Sequence, residues 1–238
     1  MEEKMLITSD SDGDEYKNLL NGSSKQSIVL ADFGEKTCGE SNDVPTSTLA
    51  SHGVVSVTGR RREMEDAVKV GLGLTVKGGG KFDFYGVYDE NGRSRVAEES
   101  KLRLHKLLVE EIVVEGNGID CGRTMNKCFE KIDEEVSRGR LGEETVGPTA
   151  VVAVVGGEKL VVANCRDSIA VFLTRQSDQY LQPFVICKPE VIERALVNDD
   201  EFLVLASDGL RRLNRKSTSI VDRNRNHDAG AATVLVEL

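Results

Sequence analysis

The alternation of apolar and polar side chains predicts a chain of many short strands with two helices between them. Helical spacing of apolar residues predicts the helices over residues 93–115 and 123–138. The predicted strands are Gly53–Val57, Val68–Val76, Phe82–Tyr88, Ala150–Val155, Lys159–Ala163, Ile169–Leu173, Phe184–Cys187, Phe202–Ala206 and Thr233–Glu237. Strands that outnumber helices in this way favour an α+β fold in which helices cover sheets.

The first part of the chain has a different composition from the rest. Residues 1–48 are rich in Asp, Glu, Ser, Gly and Asn, so we expect a mostly disordered acidic tail followed by one domain over residues 49–238. Asp10, Asp12 and Asp14 have the spacing that begins a calcium-binding loop. Glu15 stands where that loop needs Gly, so a solvated acidic tail is the favoured interpretation.

Composition narrows the class of protein. A chain of 238 residues has room for one ordinary domain, and its net charge of −9 gives no reason to expect nucleic-acid binding. No apolar run approaches the ~20 residues that cross a bilayer, so no membrane contact is expected. The five cysteines are odd in number and scattered, which indicates reduced thiols in an intracellular protein. The N-terminus has no basic-then-apolar signal pattern, so the nucleus or cytoplasm is the expected location.

Candidate chemistry gathers at three acidic segments that close or flank predicted strands. Glu65 and Asp66 precede one strand, Asp89 and Glu90 end another, and Asp208 follows a third. Carboxylate oxygens are ligands of hard divalent metals such as Mg²⁺ and Mn²⁺. A single Asp at a strand end is most often a turn residue or a helix cap. The interpretation as a metal site therefore depends on the order of the three segments along the chain.

That order resembles the metal-dependent protein phosphatase 2C family, and its plant branch in abscisic-acid signalling most of all. The similar blocks, over residues 52–210, are GVVSVTGRRREMEDAV, FYGVYDENG, TVGPTAVVAVV, VVANCRDSIAV, YLQPFVICKPEV and LVLASDGL, with a weaker echo in the final ATVLVEL. The resemblance implies a four-layer α-β-β-α sandwich. Two stacked antiparallel sheets would carry helices outside and metals at one edge.

The resemblance also implies site roles. Manganese or magnesium ions would activate water against a phosphoserine or phosphothreonine, with a His as general acid. The implied metal ligands are Glu65, Asp66, Asp89, the backbone carbonyl of Glu90, and Asp208, with Asp167 at a weaker third metal position and Arg61 as the phosphate clamp.

Several positions depart from the family pattern. Asn91 replaces the acid His, and Glu90 replaces a Gly, in the family's Asp-Gly-His-Gly. The terminal family Asp has no aligned counterpart, because Asp228 comes one residue early and would point to the opposite face. Arg166 stands where the backbone would need Gly. One ion instead of two, or none, would then bind.

The domain is also expected to be shorter than its relatives, near residues 174–178 and 211–230. The chain has no Trp, so locking by a hormone receptor through that side chain is not expected. The basic stretch over residues 211–226 fits a nuclear signal or a contact with an acidic partner, but a loop that replaced a lost helix is favoured.

Three functions remain open at this point. The favoured one is a pseudophosphatase with little or no activity that binds a phosphoprotein, a kinase or another signalling protein. The alternative is a weak Mn²⁺- or Mg²⁺-dependent protein Ser/Thr phosphatase, since most of the acidic set is kept. The third is a chain that folds only with a partner, because missing strands would expose sheet edges.

Overall fold

The computed structural model describes residues 26–33, 50–58, 64, 66–89, 94–112, 121–137, 149–174, 178–181 and 189–208. These residues form ten strands and two helices. In chain order they are β1 (Gln26–Asp32), β2 (Ser51–Val57), β3 (Ala67–Thr75), β4 (Lys81–Asp89), α1 (Ser94–Glu111), α2 (Cys121–Ser137), β5 (Thr149–Gly156), β6 (Lys159–Cys165), β7 (Ile169–Thr174), β8 (Asp178–Leu181), β9 (Glu190–Ala195) and β10 (Asp200–Ala206).

The strands form two antiparallel sheets of five strands each. The first sheet has the order β2-β1-β10-β7-β8, and the second has the order β3-β4-β5-β6-β9. The inner faces pack together through a buried apolar layer that includes Val29, Tyr85, Leu160, Phe172 and Leu205. Burying such side chains stabilises the fold by about 1.5–3 kcal/mol each. Successive side chains of the inner strands point alternately into this layer and to the outer face of their sheet, and both faces are buried.

Both described helices cover the outer face of the second sheet. Apolar residues at helical spacing, among them Leu104, Leu108, Met125 and Ile132, are buried against β3, β4, β5 and β6. On the outer side, the Arg103 guanidinium donates two hydrogen bonds of 3.0 Å each to the Glu135 carboxylate, which joins α1 to α2. Neither described helix is long and apolar enough to span a membrane.

The predicted α+β sandwich is confirmed. The predicted helices and seven of the nine predicted strands coincide with α1, α2, β2–β7 and β10. The predicted strands Phe184–Cys187 and Thr233–Glu237 lie outside the described residues.

Three described strands differ from the prediction. β1 lies within the segment expected to be disordered, and that expectation is wrong for Gln26–Asp32. β1 is the second strand of its sheet, paired with β2 on one side and β10 on the other. Its apolar run Ile28–Ala31 is buried on both faces, which the acidic surroundings concealed. The edge strands β8 and β9 were not predicted because their sequences mix polar and apolar residues without a clean alternation.

Candidate functional site

Asp89 is held at one end of the second sheet. It is the last residue of β4, a strand whose residues after Lys81 are all buried, and it pairs with Thr149 at the start of β5. Only 2% of Asp89 is exposed. Because the apolar run fixes the register of β4, the carboxylate can lie only at this edge. The prediction that Asp89 closes a buried strand is confirmed.

Asp208 reaches the same edge from the first sheet. Two hydrogen bonds fix the preceding residue: the Ser27 N–H donates to Ser207 Oγ at 3.0 Å, and the Ser207 N–H donates to the Ser27 carbonyl at 3.0 Å. The Asp208 N–H then donates to Asp89 Oδ2 at 3.3 Å. One hydrogen bond therefore joins the carboxylate of Asp89 to the backbone of Asp208 across the two sheets.

Asp66 lies at this end as well. It directly precedes β3, whose first residue Ala67 pairs with Tyr88, the neighbour of Asp89. Asp66 is buried, with 8% of its surface exposed. The structure therefore brings Asp66, Asp89 and Asp208 to one edge, which we call the carboxylate end.

The turn between β6 and β7 closes the carboxylate end. Cys165 pairs with Ala150 in the second sheet, and the first residue of β7, Ile169, pairs with Ala206 in the other sheet. The turn thus crosses from one sheet to the other. Asn164 Nδ2 donates to the Ser168 carbonyl at 2.7 Å and fixes the turn.

Two residues of this turn matter for the site. Asp167 is exposed, so it lies on the rim of the carboxylate end and not among the buried carboxylates. Arg166 has a φ of 74°, in the left-handed region that Gly adopts without strain. The prediction that Arg166 occupies a position suited to Gly is confirmed.

The remaining site residues lie outside the described part of the chain. Their roles stay predictions. They are Arg61, Glu65, Glu90, Asn91 and Asp228.

Burial also sets the protonation of two tyrosines on β4. Burial raises the pKa of Tyr88 far above its ordinary value, so its hydroxyl stays neutral beside the carboxylate end. Burial, followed by the negative charge of Asp83, raises the pKa of Tyr85. Neither phenol can serve as a proton donor of ordinary strength near neutral pH.

The donor set partly fits a divalent metal. Asp66 and Asp89 are buried and Asp208 is half-buried at one edge, and carboxylates are ligands that Mg²⁺ and Mn²⁺ prefer. Within the described residues, however, no three side chains of His, Cys, Asp or Glu come together as a metal-binding group. Asp66, Asp89 and Asp208 have the right chemistry, and a complete set of ligands would require residues from the undescribed segments.

The two hydrogen bonds between Ser27 and Ser207 were not predicted from the sequence. It depends on β1, which places Ser27 opposite the end of β10. The signal available was the short apolar run Ile28–Ala31 bounded by polar residues, which is typical of a buried strand. A prediction of β1 would have placed Ser27 beside Ser207, the residue that precedes Asp208.

Comparison with known proteins shows the same family along most of the chain. The family model Protein phosphatase 2C matches residues 50–183 and 176–237. Probable protein phosphatase 2C 8 of Oryza sativa subsp. japonica is 37% identical, over 70% of this chain and 62% of its own length. Protein phosphatase 2C 37 of Arabidopsis thaliana is 32% identical, over 69% of this chain and 58% of its own. The chain thus spans about three fifths of these two relatives.

A solved structure shows the same fold. The serine-threonine phosphatase 2C from Toxoplasma gondii superposes with a TM-score of 0.61 at 14% sequence identity. The match covers 91% of this chain and 88% of that one. At this identity the likeness concerns the fold, and the chemistry must be argued from the residues of this chain.

Proposed function

The chain belongs to the protein phosphatase 2C family, and we propose that it is a pseudophosphatase that binds a phosphorylated signalling protein at the carboxylate end with little or no hydrolysis. The active members of this family are metal-dependent. In this proposal the chain keeps the family's scaffold and part of its ligand set, while the groups that complete the reaction are changed.

The proposal rests on one observation: Asp89, an expected metal ligand, is kept, but the residue two positions later differs from the family pattern. Asp89 is buried at the strand end and accepts the Asp208 N–H, so the edge itself is formed. Two residues later, Asn91 stands where the family resemblance places the acid His. An amide has no proton to give near neutral pH. Loss of a general acid typically lowers a rate by about 10²–10⁴.

A shortened chain supports the same proposal. The alignment with the rice relative extends over 250 positions, more than the 238 residues of this chain, yet it covers 70% of the chain. The relative therefore has residues inside the aligned span that have no counterpart here. The two family-model matches meet at residues 176–183, next to the expected shortening near residues 174–178. Strands β7 and β8, which flank that point, pair antiparallel.

A metal ion would change the charge balance of the carboxylate end. Asp66, Asp89 and Asp208 are the described residues that would hold it. A bound Mn²⁺ or Mg²⁺ would supply a Lewis acid and lower the pKa of a bound water. What the chain itself contributes is the buried carboxylate of Asp89, which is oriented by the N–H of Asp208 from the other sheet.

The second candidate is a weak metal-dependent protein Ser/Thr phosphatase. The feature that favours it is the convergence of Asp66, Asp89 and Asp208 at one edge. A single ion bound there would suffice for slow hydrolysis without the acid His.

The partner in the leading proposal is a phosphoprotein, a kinase or another signalling protein. Hormone-receptor locking through a Trp is not part of the proposal, because the chain has none.

Hydrolysis of a phosphothreonine peptide by the purified chain, with manganese present, separates the two candidates. The leading proposal expects no turnover above the Asp89→Asn variant. Turnover that disappears in Asp89→Asn, and a melting temperature raised by manganese, would establish the weak enzyme instead. Asp199→Asn is the matched control, because it removes an exposed carboxylate that has no predicted role in the site.

A restored variant tests why the activity is low. Glu90→Gly combined with Asn91→His rebuilds the family tetrapeptide. If that variant hydrolyses the peptide and the wild type does not, the missing acid accounts for the loss. If neither does, the shortened segments and the displaced Asp228 are the cause, and binding of the phosphopeptide becomes the function to measure.

A further inference from the structure

Arg166 holds an unusual backbone conformation at the carboxylate end. Its φ of 74° is the only positive value among the described residues other than glycine. A side chain in this region costs the folded state stability that Gly would not. Residues held in such conformations cluster at binding sites and active sites.

The guanidinium of Arg166 has no structural partner within the described part of the chain. It forms no ion pair and no hydrogen bond to a carboxylate there, although Asp167 is its direct neighbour. In contrast, Arg103 and Arg194 are each paired with a carboxylate at 3.0 Å or less. Arg166 is partly exposed, so water and ligands can reach it. Its charge does not hold the described fold together.

The position of Arg166 puts it within reach of the candidate site. Strand β6 lies two strands from β4, and neighbouring strands are about 4.8 Å apart, so the two strand ends are separated by roughly 10 Å. An extended arginine side chain reaches roughly 6–7 Å from its Cα. A ligand held between the two strand ends would then be within hydrogen-bond reach of the guanidinium if its side chain extends toward β4.

We propose that Arg166 is a phosphate-binding residue particular to this chain, which takes the phosphate monoester of a phosphorylated Ser or Thr at the carboxylate end. This inference rests on the proposed function. A guanidinium offers parallel N–H donors that match phosphate oxygens, and it keeps its charge at any physiological pH. An anion next to several carboxylates needs such a cation. At this end of the described structure Arg166 supplies it, and the family resemblance gives Gly at the same position.

Fluorescence anisotropy of a labelled phosphothreonine peptide, beside its unphosphorylated twin, tests the proposal on the full chain. Titrations with and without manganese compare the wild type with Arg166→Gly, Arg166→Gln and Arg166→Lys. We expect the wild type to prefer the phosphopeptide, and the Gly and Gln variants to bind it about tenfold more weakly. Arg166→Lys should keep part of the affinity, because it keeps the charge without the paired donors.

Two controls make a loss of binding interpretable. Lys159→Gln removes a cation at the opposite end of the same strand and should leave phosphopeptide affinity unchanged. Arg166→Gly should raise the melting temperature, since Gly suits the left-handed turn, so weaker binding cannot be ascribed to unfolding. Inorganic phosphate should displace the peptide from the wild type at lower concentration than from Arg166→Gly.

The outcomes separate this inference from the function on which it rests. A wild type that binds both peptides equally would overturn the proposed function and this inference together. A preference for the phosphopeptide that persists in Arg166→Gly would overturn the role of Arg166 alone. Failure of inorganic phosphate to compete would show that the peptide, and not its phosphate, is recognised.

Discussion

The two ends of the sheet sandwich place their buried aspartates in different surroundings. At the end where β10 begins, which we call the latch end, the Arg194 guanidinium donates to Asp200 Oδ1 at 2.7 Å and lies 4.0 Å above the Phe172 ring. The Val197 N–H donates to Asp200 Oδ2, also at 2.7 Å. The buried carboxylate at this end thus has a cation and a backbone donor.

The carboxylate end brings Asp66, Asp89 and Asp208 to one edge of the sandwich. There the Asp208 N–H donates to Asp89 Oδ2 at 3.3 Å, and Arg166 occupies a strained backbone position. The contrast indicates that the latch end holds the sheets together and that the carboxylate end is shaped for a ligand.

The largest effect should come from removing the carboxylate of the latch. Asp200→Ala leaves Arg194 and the Val197 N–H without their acceptor, and we expect a loss of about 2–3 kcal/mol in the free energy of unfolding. Urea denaturation measures this loss. Asp199→Ala removes the exposed neighbouring carboxylate and should change stability by less than about 0.5 kcal/mol. Equal effects of the two substitutions would show that the contacts of Asp200 do not stabilise the latch end.

A pair of glycine exchanges should change stability in opposite directions at the two ends. Gly157, in the β5–β6 turn at the latch end, has a φ of +60°, and no heavy atom lies within 4 Å of the place where a Cβ would stand. We expect Gly157→Ala to destabilise the chain, and Arg166→Gly to stabilise it, each by about 1–2 kcal/mol. Thermal unfolding of both variants gives the result. A melting temperature that Arg166→Gly leaves unchanged would mean that the turn at Arg166 is not strained.

Neutralising one acid should stabilise the carboxylate end. Asp89→Asn keeps an oxygen to accept the Asp208 N–H and removes the desolvation cost of a carboxylate that is only 2% exposed, and we expect a gain of roughly 1 kcal/mol in the free energy of unfolding in the absence of metal. Asp200→Asn at the latch end, an identical chemical change, should instead destabilise the chain. The difference in sign between the two variants, measured by urea denaturation, is the test. The same sign for both would contradict the division of roles.

The smallest effect concerns His105, in the helix layer away from both ends. Burial, followed by the positive charge of Lys69, lowers the pKa of His105 below its ordinary value. The unfolded chain therefore binds the proton more readily than the folded one, so stability is full above the unfolded pKa of about 6.5 and declines as the pH falls through it.

His105→Gln should flatten the decline in melting temperature between about pH 7 and pH 5. His52→Gln, which removes the other histidine of the described residues, separates an effect of this position from the loss of any imidazole. A slope that is identical in His105→Gln and the wild type would show that His105 does not contribute to acid sensitivity.

The sequence predicted the central strands well because their apolar runs are buried whatever their partners are. The edge strands β8 and β9 escaped prediction, because a strand such as EVIERA is defined by its pairing with β6 and not by its own pattern. Gln26–Asp32 was missed for a different reason. A short apolar run in an acidic region is weak evidence for a strand until the strands that pair with it are known.

The site was predictable in part for a similar reason. Positions at strand ends, such as Asp89 and Asp208, follow from where apolar runs stop. Their contact could not be read from periodicity, since the two residues are 119 positions apart and belong to different sheets. The left-handed turn at Arg166 was foreseen only because a Gly was expected there.

The position of β1 has a consequence for how the chain acquires its structure. The hydrogen bonds between Ser27 and Ser207 join residues 180 positions apart, and β1 lies between β2 and β10. During synthesis β1 and β2 leave the ribosome before their neighbour β10, which follows all five strands of the second sheet in the chain. Closing such a long loop makes folding slow. Until β10 arrives, an unpaired edge of β1 is exposed to other chains, so chaperone dependence and aggregation should be governed by this one strand.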